Sequence, residues 1–126
     1  MRSLHRGFSL RLPEACLPAS AVPTSYAKFE GASMEYSYVL FSEKDGKFYI
    51  GSTGDLRNRL QQHNNGQVRS TAYRRPLRLI HYEGCLRADD AHRRERYLKT
   101  GRGGRYLKQR LTSWLSEIRS KKLERH

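Results

Sequence analysis

The sequence predicts a small α+β domain: a three-stranded, mostly antiparallel sheet flanked by three helices. Three observations carry this expectation. Two runs rich in aromatic and β-branched residues, "YSYVLFS" and "KFYIGS", stand on either side of "EKDG", in which Asp45-Gly46 is a hairpin turn signal. A third run, "LRLIHYE", follows Pro76. Around these strands, leucines recur at the spacing of amphipathic helices.

Taken in order, the hairpin comes first. If Asp45 and Gly46 were the whole loop, Ser42 would face Tyr49. Tyr38 and Tyr49 would then share a face yet stand several residues apart along the strands, and a wider loop or a bulge would bring them closer. Asp55 suits the N-cap of a helix running to about Asn64 and closed by Asn65-Gly66. Leu56 and Leu60 mark its buried stripe, with Arg59 and His63 one turn apart on the neighbouring one. After the third strand, Asp89 is expected to cap a helix that runs through Lys99 and ends at Gly101. "GRGG" reads as a break. Beyond it Leu107, Leu111, Trp114, Leu115 and Ile118 mark one last amphipathic helix packed on the sheet.

A chain of 126 residues fits one small domain, expected over residues 34–119, with a basic tail over 120–126. Residues 1–33 hold three of the four prolines and show no sustained periodicity. They read as a disordered extension, or as sequence preceding a true start at Met34, with a transit peptide as the third reading. Glu30-Gly31-Ala32-Ser33 can be encoded by a purine-rich, ribosome-binding-like stretch, which favours the Met34 start. Cys16 and Cys85 form no CxxC pair, so a disulfide scaffold or thiolate zinc site is not expected and a reducing cytosol fits. No apolar run reaches the length of a membrane span.

Lys plus Arg number 25 against 12 Asp plus Glu, a formal charge of +13. An excess of that size favours a polyanionic partner, because every neutralised phosphate releases condensed counterions. The cations cluster. "VRSTAYRRPLR" brings Arg69, Arg74, Arg75 and Arg78 around Tyr73, while "RRER" and "GRGGRYLKQR" add Arg93, Arg94, Arg102, Arg105, Lys108 and Arg110. Such contacts position a nucleic acid without reading its sequence.

Tyr36-Ser37-Tyr38, a short turn, Tyr49-Ile50-Gly51, then Arg59 and later Glu95 form an ordered series that resembles the GIY-YIG nuclease family. The similarity is greatest to its small stand-alone bacterial members, related to the N-terminal nuclease domain of the excinuclease C subunit, and runs from about Glu35 to Leu111. The resemblance implies a metal-dependent endonuclease of the bacterial cytosol or nucleoid that cuts DNA and serves repair or recombination. It implies catalytic roles for Tyr38, Tyr49, Arg59, His63 and Glu95. Glu95 would be the single protein ligand of one Mg²⁺ or Mn²⁺, which is chemically sufficient because such a cation keeps waters and takes oxygens from the substrate. Arg59 would hold phosphate oxygens. One tyrosine would orient or deprotonate the attacking water, with its pKa lowered from about 10 by the metal and Arg59. His63 would hold phosphate, shuttle a proton or close its helix.

Read without the resemblance, each of these residues has a plainer role. Glu95 could pair with Lys99, Arg59 could be solvated, and the tyrosines could be sheet aromatics. Gly51 would allow close approach at the strand end. His81 and His92 carry no motif and read as surface residues. The chain also departs from the family pattern. Tyr36 replaces its first glycine, Ser52 stands where excinuclease-type domains carry lysine, and no Asn follows Asn65. The expected partner is DNA, duplex or branched, with a protein partner for targeting as a further expectation. The competing functions are a non-catalytic nucleic-acid-binding module with the same fold and a basic RNA-associated protein.

Overall fold

The structure, a computed structural model, describes residues 33–124. The expectations for residues 1–32, and for the last two of the tail, lie outside the described residues. Within them the chain forms β1 (Glu35–Ser42), β2 (Phe48–Thr53), α1 (Leu56–Asn64), a 3₁₀ turn (Arg69–Arg74), β3 (Leu77–Cys85), α2 (Ala88–Leu98), α3 (Gly101–Arg110) and α4 (Thr112–Glu124). The three strands form an antiparallel sheet in the order β2-β1-β3. A bulge between β1 and β3 at Val39/Leu40 shifts their register.

The hairpin loop is wider than Asp45-Gly46. Tyr49 pairs with Leu40, and Ser42 N–H donates to the Lys47 carbonyl at 3.0 Å, so four residues make the turn. Ser42 Oγ accepts from Asp45 N, Asp45 Oδ1 accepts from Lys47 N, and Gly46 takes φ +71°. A wider loop draws Tyr38 and Tyr49 together: Tyr38 now faces Gly51, one alternation from Tyr49.

Central β1 is buried along almost its whole length because both faces of the sheet are covered. On one face Tyr36, Tyr38, Leu40, Leu56 and Leu77 pack together, with Tyr49, Leu60 and Tyr82 around them. On the other, Val39 packs with Leu98 of α2 and Leu107 of α3, bordered by Phe48, Ile50 and Ile80. Asp55 caps α1 as expected, its Oδ1 accepting from Asn58 N at 3.1 Å, and Gly66 closes it at φ +80°.

The C-terminal half differs from expectation. Arg87, not Asp89, occupies the N-cap of α2 and makes no side-chain cap; Asp89 and Asp90 lie in the first turn, where carboxylates favour the helix dipole. The "GRGG" stretch is the first turn of a helix, capped by Thr100, whose Oγ1 accepts from Gly103 N at 3.1 Å. Gly103 is needed there because a Cβ would overlap the backbone of Tyr97 and Leu98. The single amphipathic helix is therefore two, parted at Leu111: α3 buries Leu107, while α4 touches the sheet through Trp114, 4.9 Å from the Phe41 ring. The sheet carries four α-helices among the described residues, not three. The last of them runs to Glu124, past the expected boundary at 119.

Candidate active site

Tyr38 projects from central β1 across edge strand β2 at Gly51. A Cβ on Gly51 would stand 2.6 Å from the Tyr38 hydroxyl, so the missing side chain is what lets the phenol lie there. Tyr49, His63 and Tyr38 pack as a trio of rings, with centroids 5.1 to 6.4 Å apart. Tyr38 and His63 are buried, and the Tyr38 hydroxyl and His63 Nε2 share a hydrogen bond of 2.9 Å. The other ring nitrogen, Nδ1, lies 2.7 Å from Thr71 Oγ1.

Burial drives the electrostatics of this trio. It pushes the Tyr38 phenol above its ordinary value of 10; an Arg59 hydrogen bond and charge pull the other way without prevailing, and Tyr49 and Glu95 add to the rise. Of the two cations expected to lower a tyrosine, the metal and Arg59, Arg59 acts on Tyr38 in that direction but is outweighed by burial. Burial, with Arg59 in support, lowers His63 to about 4, so the imidazole is neutral near pH 7. Arg59 is half-buried, one turn before His63 on α1, and donates to Gln62 Oε1 at 3.0 Å.

The next residue of β2, Ser52, turns to the opposite face by strand alternation and meets α2. Its hydroxyl donates to Glu95 Oε1 at 2.7 Å. Lys99 Nζ lies 2.8 Å from Glu95 Oε2, and His92 Nδ1 lies 3.4 Å from Oε1. Burial raises the Glu95 carboxyl, but the Lys99 and Ser52 hydrogen bonds and the Lys99 and His92 charges outweigh it, leaving the group below the ordinary carboxylate range. Tyr38, Tyr49, Arg59 and His63 thus gather on one face of edge strand β2. Glu95 stands at the other face, one residue along the strand.

The cations named for nucleic acid divide into two sets. Arg74 is bound to the hairpin: Nε donates to Asp45 Oδ2 at 2.7 Å, and its NH2 group reaches the Lys47 and Phe48 carbonyls. Arg94 grips both oxygens of Glu83 and lies over the Tyr97 and Tyr106 rings. Arg75 donates to the Ala72 carbonyl, and Arg78 pairs loosely with Glu43 at 3.6 Å beside Trp114. Arg69, Arg102, Arg105 and Lys108 are exposed and form no ion pair among the described residues. Lys108 also lines a cavity of about 600 Å³ with Lys47, Phe48, Leu115 and Arg119, away from Tyr38 and Glu95.

Three residues matter more than their sequence context suggests. Thr71 holds His63 from a 3₁₀ turn eight residues on, a distance at which no periodicity points. His92 is exposed as expected, yet it borders Ser52 and Glu95. His81 is not a surface residue: its side chain is largely buried, with Nε2 3.1 Å from Glu83 Oε2. For Glu95 the i,i+4 spacing to Lys99 was signal enough.

The chain matches the GIY-YIG catalytic domain over residues 34–106. It is 42% identical over 65 residues to a UPF0213 protein of Streptococcus pneumoniae, covering 51% of this chain and 65% of that protein. Against a UPF0213 protein of Bacillus pumilus the identity is 33% over 92 residues, 72% of this chain and 88% of the other. With UPF0213 protein YazA of Bacillus subtilis it is 39% over 57 residues, 44% of this chain and 58% of that protein. The chain thus spans just under two thirds of the length of the pneumococcal relative. No solved structure matches it. With the family's domain covering more than half of the chain, the protein belongs to the GIY-YIG family of nuclease domains.

Proposed function

We propose that the protein is a divalent-metal-dependent endonuclease that hydrolyses DNA phosphodiester bonds, directed by DNA structure rather than sequence. The observation that carries this reading is the Tyr38–His63 hydrogen bond, placed beside Arg59 and one strand residue from the Glu95 carboxylate. A structural tyrosine needs no buried neutral imidazole, and a structural imidazole needs no cation beside it.

Glu95 fits a hard divalent cation. Its carboxyl is ionised, and among the described residues no group of three or more His, Cys, Asp or Glu could hold a metal. A lone carboxylate suits Mg²⁺ or Mn²⁺, which keep waters, and does not suit a metal demanding nitrogen and sulfur ligands. Such an ion would polarise a phosphate oxygen and offset the carboxylate charge that raises Tyr38. The chain's own groups supply the rest. Arg59 donates to non-bridging oxygens. Tyr38 takes a proton from the attacking water while its own hydroxyl proton passes to His63 Nε2. The water oxygen bonds to phosphorus as the bond to the leaving oxygen breaks, and that oxygen takes a proton from solvent. Tyr49, half-buried beside both rings, orients the water or the phosphate.

Exposed Arg69, Arg102, Arg105 and Lys108 would carry the backbone contacts. The proposed setting is DNA in the cytosol or nucleoid, in repair or recombination; no helix among the described residues is long and apolar enough to cross a membrane.

The test is cleavage of labelled single-stranded, duplex, flap and branched DNA with Mg²⁺, Mn²⁺ or EDTA, with Glu95→Gln beside the wild type. Metal-dependent cutting that Glu95→Gln abolishes is expected. One observation favours a second reading, a non-catalytic nucleic-acid-binding module: both Glu95 oxygens already have partners in Ser52 and Lys99. Equal binding by both proteins with no cutting by either would move that reading ahead.

A further inference from the structure

We propose that Thr71 is a positioning residue that fixes His63 in the Nδ1–H tautomer, leaving Nε2 free to accept the Tyr38 hydroxyl proton. The catalytic consequence rests on the nuclease reading above; the tautomer itself does not.

The argument is one of hydrogen-bond supply. Thr71 is fully buried, held by its N–H donating to the Val68 carbonyl at 3.1 Å. Its single hydroxyl proton has two directions open, His63 Nδ1 at 2.7 Å and the Val68 carbonyl at 3.4 Å. A carbonyl only accepts, and its second lone pair is available. With the Thr71 proton directed to Val68, the threonine oxygen accepts from Nδ1–H. Nε2 then carries a lone pair, and the Tyr38 hydroxyl donates to it. Arg59, which only donates, is left to act on the Tyr38 oxygen. Every group in the chain Arg59–Tyr38–His63–Thr71–Val68 is then satisfied, and no buried side-chain polar atom among the described residues lacks a partner.

The opposite arrangement fails at its far end. If Thr71 donated to Nδ1, Nε2–H would donate to the Tyr38 oxygen, and the Tyr38 proton would need another acceptor. Arg59 cannot accept it, and no other hydrogen bond to the Tyr38 hydroxyl is made among the described residues. A buried hydroxyl left without an acceptor bears the full penalty of its desolvation. That penalty selects the Nδ1–H form, and with it a tyrosine that donates inward to His63 Nε2. A threonine serves where a valine of equal shape would not.

The imidazole nitrogens of the full chain are read directly by long-range ¹H–¹⁵N correlation at pH 7.5, without DNA or metal. His63 is expected to show a protonated Nδ1 and an unprotonated Nε2 in the wild type and in Thr71→Ser. It should show loss of that pattern in Thr71→Val. In single-turnover cleavage, Thr71→Val should lose on the order of 10- to 100-fold in rate with DNA affinity unchanged, and Thr71→Ser should recover most of it. An Nε2–H tautomer in the wild type overturns the proposal whether or not the valine variant folds, as does Thr71→Val retaining the wild-type pattern. A wild type with the Nδ1–H pattern that cuts no DNA supports the tautomer and overturns the nuclease reading instead.

Discussion

The Tyr38 hydroxyl lies 2.9 Å from His63 Nε2, and both side chains are buried. A strand from the hairpin and a helix packed on it bring the two groups together from 25 residues apart. Removing the hydroxyl separates its two roles. Tyr38→Phe should lower cleavage on the order of 10²- to 10⁴-fold, the span of general acid–base catalysis. It should also cost about 1–3 kcal/mol in urea unfolding, because Nε2 is left buried without a partner. A phenylalanine variant that cuts at the wild-type rate would assign the water to Tyr49.

His63 also sets a pH dependence of stability. In the folded chain it stays neutral down to about 4, against an ordinary 6.5, through burial and then the Arg59 charge. The unfolded chain binds more protons throughout that window, so stability rises with pH across it. The contribution is fully present above about pH 6.5, shrinks as pH falls toward 4, and is constant below. Its size is at most about 3 kcal/mol. Urea midpoints between pH 7.5 and 5 should fall, and His63→Gln should flatten that slope. Glu83 and Glu95, held below the ordinary carboxylate range although burial opposes it, add their losses only under more acid conditions.

Gly51→Ala tests the crossing of the edge strand. A methyl group there meets the Tyr38 hydroxyl at 2.6 Å, and the phenol must swing away from Arg59 and His63. Cleavage should fall at least about tenfold and stability by about 1–3 kcal/mol. Normal cleavage by this variant would place the reacting tyrosine elsewhere.

The parts of the fold legible in the sequence are those written in short range. The strands, a turn that includes Asp45-Gly46 and the Asp55 cap are local chemistry, and each stands where the sequence puts it, the turn being wider than those two residues. The motif series from Tyr36 to Glu95 could be read because it is ordered along the chain. Thr71 could not, since its contact to His63 depends on how a 3₁₀ turn folds under α1. The "GRGG" stretch misled for a different reason: intrinsic propensity disfavours a helix there, and packing against α2 overrides it. Likewise, arginines in a basic run look alike in sequence, whereas Asp45 and Glu83, distant along the chain, engage Arg74 and Arg94.

The division of the arginines predicts different salt behaviour. Arg74→Ala should lower the thermal midpoint, by releasing the hairpin turn, and leave the salt dependence of DNA binding nearly unchanged. Arg102→Ala, Arg105→Ala and Lys108→Ala should leave the midpoint unchanged, and each should reduce the salt slope of log K by about 1 where it meets a phosphate. Titration of a labelled duplex from low to moderate salt reads both. Equal slopes in all four variants would remove these exposed cations from the interface.

Neighbouring glycines in α3 should respond in opposite directions. At Gly103 an added Cβ meets the backbone of Tyr97 and Leu98, which cannot rotate away as a side chain can. Gly103→Ala must therefore push α3 off α2, disturbing Leu98 and Leu107 in the core, and should destabilise by about 2 kcal/mol or more. At Gly104 nothing lies within 4 Å of the same position, so alanine gains helix propensity at no steric cost. Gly104→Ala should stabilise by about 0.5–1 kcal/mol. Urea unfolding of the pair gives the contrast directly, and a Gly103→Ala protein as stable as the wild type would mean that α3 does not start against the end of α2. Because Glu95 lies one turn before that end, the same variant should also weaken metal-dependent cleavage, while Gly104→Ala leaves it intact.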